Sequence, residues 1–127
     1  MATREITKDT LTDTVSDNDI VLLDFWAGWC RPCVSFAPIF EKASEKHPDI
    51  VFGKVDTEAQ RELAAAFEIT SIPTLMAFRE GIIVFAQPGA LRGPDLEELI
   101  TAVKELDMDE VHAQIAQQQL AVDGADL

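Results

Sequence analysis

Cys30 and Cys33 are the only two cysteines of the chain, separated by Arg31-Pro32, and their types and spacing suit them to chemistry. Two intervening residues bring both sulfurs into one helical turn. The pair can then close reversibly to a disulfide, or it can supply half of a set of zinc ligands. A zinc site needs a second closely spaced pair. His47 stands beside Pro48 and His112 lies in an acidic segment, so neither completes one, and no metal is expected. The disulfide chemistry remains, and its asymmetry follows from position. The pair opens a helical pattern, so the first thiol faces unpaired backbone amides and the positive end of the helix dipole, which favour the reactive thiolate. Cys30 is therefore expected to attack outward. Cys33, shielded by the helix, is expected to resolve the mixed disulfide, with Pro32 stiffening the turn between them.

The elements that must hold this pair can be read on either side of it. Ile20-Val21-Leu22-Leu23-Asp24-Phe25-Trp26 is a nearly continuous apolar run, the pattern of a central strand buried on both faces, with Asp24 as its anomaly. Phe36, Ile39, Phe40 and Ala43 fall at helical spacing after the cysteines, through Glu45 or Lys46, with Pro38 inside the helix and Pro48 ending it. A second strand is expected over 50–56 and a short helix over 58–67. Two strand-like runs, 74–79 and 82–87, flank Glu80-Gly81 as an antiparallel hairpin. Pro94, Leu96, Leu99, Ile100 and Val103 mark a closing amphipathic helix, and Thr10 to Val15 a short helix at the front. The plan is an α/β fold with a central mixed sheet flanked by helices. Residues 1–106 form one domain, and 107–127 an acidic extension, helical or partly disordered, with disorder expected past about Ala121.

Bulk properties narrow the function classes. A chain of 127 residues, 47% apolar and 26% charged, has room for one core and one site. Its net charge of -13 repels polyanions, so nucleic acid is not an expected partner. No apolar stretch matches a signal peptide or a membrane span, and a monomer in the cytoplasm is expected. In that reducing compartment a close cysteine pair reads as catalytic rather than structural.

With these residues in place, the sequence resembles the thioredoxin family. Asp24-Phe25-Trp26-Ala27-Gly28-Trp29-Cys30-Arg31-Pro32-Cys33 is similar to the family's active-site signature with one substitution. Pro38, Lys54, Ser71-Ile72-Pro73-Thr74, Gly81 and Gly89 match further family positions over roughly residues 4–106. The resemblance implies a thioredoxin fold and a protein-disulfide reductase that needs no bound cofactor. Its implied partners are disulfide-bearing proteins and a thioredoxin reductase. It also implies that buried Asp24, with a raised pKa, exchanges a proton with Cys33 through a water, and that Lys54 tunes Asp24. Pro73 is implied to be cis, setting Ile72 beside the cysteines. Trp29, Arg31, Pro32, Ile72, Pro73, Gly89 and Ala90 are implied to receive substrate, with Trp26 as support. Arg31 replaces the usual glycine, and Val34 stands where a lysine is common. These two departures bear on redox poise rather than on reaction type. The competing reading is a thioredoxin-like binding module that uses the same surface without redox turnover.

Overall fold

The computed structural model describes residues 2–125, with side chains described as far as Gln119. In chain order the elements are β1 (Thr3–Glu5), α1 (Leu11–Asp17), β2 (Ile20–Trp26), α2 (Arg31–Lys46), β3 (Val51–Asp56) and α3 (Arg61–Ala66). They continue with β4 (Thr74–Arg79), β5 (Ile82–Pro88), α4 (Gly93–Lys104) and α5 (Met108–Ala125). The five strands form one sheet in the order β1-β3-β2-β4-β5. Strand β2 lies at its centre, parallel to β3 and antiparallel to β4, which makes the sheet mixed as its alternating and hairpin patterns predict.

Because side chains alternate across a strand, the apolar run of β2 feeds two cores. Ile20 and Leu22 pack with Phe36 and Phe40 of α2 and with Leu96 and Ile100 of α4. Val21, Leu23 and Phe25 pack on the other face with Leu63 of α3 and with Leu11 and Val15 of α1. Asp24 follows the parity of Ile20 and Leu22, so it points toward the α2 side. The β hairpin turns through Glu80 and Gly81, both at positive φ (52° and 79°), the geometry whose twist matches that of its strands.

Two details depart from the sequence reading, and a third decides between its alternatives. Thr3-Arg4-Glu5 forms an edge strand on β3, although nothing in its residue pattern marks it. Helix α3 begins at Arg61 rather than Glu58, because Asp56 Oδ1 accepts from the Glu58 and Ala59 amides (2.9 and 3.3 Å) and holds a turn there. The extension takes the helical alternative over Met108–Ala125, with Met108 buried. The disorder expected past Ala121 falls partly on residues 126 and 127, which lie outside the described residues.

Gly53 on β3 makes close packing of the second core possible. A Cβ there would stand 2.5 Å from Ile6 Cγ1 and 2.9 Å from Leu23 Cδ2, both in fully buried side chains. Gly53→Ala is expected to destabilise the fold by about 1–3 kcal/mol through overpacking. Urea unfolding of the variant beside the wild type measures this directly.

Candidate active site

The site forms where β2 ends and α2 begins. Cys30 is the N-cap of α2, with extended backbone (φ −86°, ψ 110°), and its Sγ accepts from the Cys33 amide at 3.3 Å. This satisfies one of the amides that every helix N-terminus leaves unpaired. The two sulfurs are joined as a disulfide, with the Cα atoms 5.2 Å apart. The peptide bond between Ile72 and Pro73 is cis, and the Ile72 carbonyl oxygen lies 3.7 Å from Cys30 Sγ. The Gly89 amide donates to the Pro73 carbonyl at 2.8 Å and fastens this loop to the end of β5.

Both cysteines are nearly covered, Cys30 at 4% and Cys33 at 2% exposure, so Cys30 in the disulfide is less open than its assignment as outward attacker suggests. The surroundings of the two still differ. Cys30 lines an open groove of about 410 Å³ with Trp29, Arg31, Pro32 and Ile72, closed on the far side by Thr57, Ala64, Ile69, Thr70 and Ser71, whereas Cys33 does not line it. Trp29, which lines the groove, is 72% exposed, and Val34, next to Cys33 in the chain but outside the groove, is 59% exposed, so two large apolar side chains stand in water near the disulfide. Gly89 and Ala90 are exposed but lie outside this groove, and Pro73 is buried behind Ile72.

Asp24 is fully buried, and neither of its carboxylate oxygens accepts a hydrogen bond from the described residues. Desolvation pushes its pKa up to about 6, against the opposing pull of the Lys54 ammonium. Lys54 is the register partner of Asp24 across β2 and β3, and its Nζ sits 4.9 Å from the centroid of the Trp26 ring. Trp26 packs against Ala27, Cys30 and Cys33, and its buried indole N–H has no partner among the described residues.

One group escaped the sequence reading. Glu58 accepts from Trp29 Nε1 at 2.7 Å and from Arg61 at 3.3 Å, which fixes the exposed indole at the groove's rim. Its place just past the carboxyl end of β3, beside the end of β2, is the one signal that could have marked it, since sites of α/β sheets gather at such strand ends.

The model of the family described as thioredoxin matches residues 2–105. The chain belongs to the thioredoxin family. It is 58% identical over 118 residues to the putative thioredoxin 2 of Streptomyces coelicolor, covering 93% of this chain and 88% of that one. Among solved structures, a mutant thioredoxin from Halobacterium salinarum superposes with a TM-score of 0.75 at 35% identity, over 82% of this chain and 91% of its own. The thioredoxin of Plasmodium falciparum does so with 0.73 at 33%, over 78% and 97%. The mixed sheet with flanking helices is thus the thioredoxin fold. The Trp-Cys-Arg-Pro-Cys segment is the thioredoxin-type cysteine pair, here with arginine at its first variable position.

Proposed function

We propose that this chain reduces or exchanges disulfides in protein substrates by cycling Cys30 and Cys33 between dithiol and disulfide. The observation that carries the reading is the bonded cysteine pair at the mouth of the groove, with Cys30 lining it and Cys33 set back in the helix. In the reduced form, the Cys30 thiolate attacks one sulfur of the substrate disulfide and forms a mixed disulfide, while the other substrate sulfur leaves as a thiolate. Cys33 then gives up its proton, attacks Cys30 Sγ and expels the second substrate sulfur. The two electrons gained by the substrate are those lost in forming the Cys30–Cys33 bond.

Asp24 takes the proton of Cys33, through a water, and Lys54 holds Asp24 from becoming still more basic. A pKa of about 6 lets Asp24 return the proton near neutral pH. Trp29, Arg31, Pro32 and Ile72 receive the substrate polypeptide, with cis Pro73, Gly89 and Ala90 bordering it. The Ile72 backbone pairs with the substrate as a strand edge would. A thioredoxin reductase returns electrons to the disulfide. The two sulfurs carry all the redox chemistry, so no bound cofactor is required. A monomeric protein of the cytoplasm fits this role. No helix among the described residues is long and apolar enough to cross a membrane. Residues 1–106 are the working domain and 107–127 an extension of it.

The test is insulin reduction driven by dithiothreitol, with a parallel arm of NADPH and a candidate reductase. Acceleration well above the rate without protein is expected, and no acceleration in either arm would refute the reading.

Arg31 stands next to the attacking sulfur, and its guanidinium stabilises the Cys30 thiolate, which favours the reduced dithiol. Arg31→Gly is therefore expected to be a weaker oxidant, its midpoint potential lower by up to about 20 mV, since an exposed charge acts through solvent. Titration of both proteins against glutathione checks this, and equal midpoints would end the idea.

A further inference from the structure

We propose that Arg31 selects substrates, pairing its guanidinium with an acidic side chain next to the cysteine that Cys30 attacks. This rests on the disulfide-exchange reading above and names the substrate class for it.

Arg31 is the first residue of α2, and no acidic residue stands in that first turn. The positive end of the helix dipole disfavours a cation there, so the residue works against its own helix. A local rule broken at the rim of a site, with no acidic partner in the fold, points to a role at the site rather than in holding the helix. No such partner exists among the described residues. Arg61, Arg79 and Arg92 hold Glu58, Asp19 and Asp95, whereas Arg31, like Arg4 on the edge strand β1, is exposed and makes no ion pair among the described residues; of these two, Arg31 alone stands at the site.

Its surroundings define the occupant. Among the described residues Arg31 is the only charged one lining the groove that Cys30 opens into, and the walls are apolar side chains such as Trp29, Ile69 and Ile72 with the hydroxyl residues Thr70 and Ser71. A polypeptide whose sulfur reaches Cys30 therefore brings its neighbouring side chains against one planar cation in a groove lining that is otherwise uncharged. A carboxylate completes that cation by a forked pair of hydrogen bonds, and an ammonium group is repelled. Glu58 is the nearby carboxylate that would oppose an acidic substrate, but it already accepts from Trp29 Nε1 and Arg61.

An exposed pair of this kind supports a selectivity of about two- to five-fold, reduced by salt. The test uses two disulfide peptides differing only in glutamate or glutamine beside the reactive cysteine, each reduced by the wild type and by Arg31→Gln. The quantity read is the glutamate-to-glutamine ratio of kcat/KM in each protein. A peptide's own reactivity cancels between proteins, and a shift in the protein's redox potential cancels between peptides. The ratio is expected to be about two- to five-fold higher in the wild type at low salt, and to approach that of the variant at about 0.5 M salt. Equal ratios in the two proteins at low salt, with both peptides turned over, would overturn the selection alone. If the wild type reduces neither peptide, the disulfide-exchange reading fails as well.

Discussion

Replacing Cys30 by serine is expected to remove insulin reduction, lowering the rate by roughly 10³-fold or more to that of the solution without protein. A hydroxyl at this position is not ionised near neutral pH, and no other thiol lines the groove. Cys33→Ser has a different expected outcome. Cys30 still attacks, no second sulfur stands behind it, and the mixed disulfide with the substrate accumulates as a covalent adduct visible by mass spectrometry under nonreducing conditions. Both variants keep small side chains at sites where the sulfurs are nearly covered, so both are expected to fold. Rapid turnover by Cys30→Ser, or adduct formation in that variant equal to that in Cys33→Ser, would contradict the division of labour between the two residues.

The second large effect concerns stability and turnover together. In the folded chain Asp24 holds its proton up to about pH 6, against an ordinary value of 3.8. Between those two values the folded state binds more protons than the unfolded one, so stability falls as pH rises from about 4 to about 6 and stays low above it. The charged form at pH 7 costs about 3 kcal/mol relative to a carboxylate left in water, as an order of magnitude. Asp24→Asn removes the ionisation and keeps the shape. It is expected to be about 1–3 kcal/mol more stable than the wild type at pH 7, with the gain shrinking toward zero below about pH 4. Urea unfolding at a series of pH values measures this. The same variant is expected to resolve mixed disulfides about 10²-fold more slowly, because Cys33 loses its proton acceptor. A gain in stability with a loss of rate separates a catalytic carboxylate from a structural one. An unchanged resolution rate would leave Asp24 as a buried residue of another purpose.

How much of this was legible beforehand depended on the range of the interaction involved. Strand β2 and helix α2 declare themselves because their patterns are local: an unbroken apolar run for a strand covered on both faces, then Phe36, Ile39 and Phe40 at helical spacing. The anomaly of Asp24 within β2 was visible for the same reason. Strand β1 was not. Thr3-Arg4-Glu5 has no alternation of its own and exists as a strand because β3 offers it an edge, a tertiary effect that overrides propensity. Glu58 was hidden similarly, since its bond to Trp29 spans 29 positions and depends on β2 and β3 ending side by side. The seating of Lys54 over the Trp26 ring also needs the register of two strands before it can be seen. The spacing of the cysteines and their place at a helix start predicted the disulfide chemistry. How deeply Cys30 would be covered followed from the Ile72–Pro73 loop lying against it, 42 residues away.

The central claim is that Cys30 meets the solvent and substrates while Cys33 stays behind it. Brief alkylation of the fully reduced protein with iodoacetamide near neutral pH, followed by peptide mapping, measures this at both sulfurs at once. Label on Cys30, with Cys33 left free until the protein is unfolded, is the predicted result. Equal labelling of the two, or faster labelling of Cys33, would contradict it.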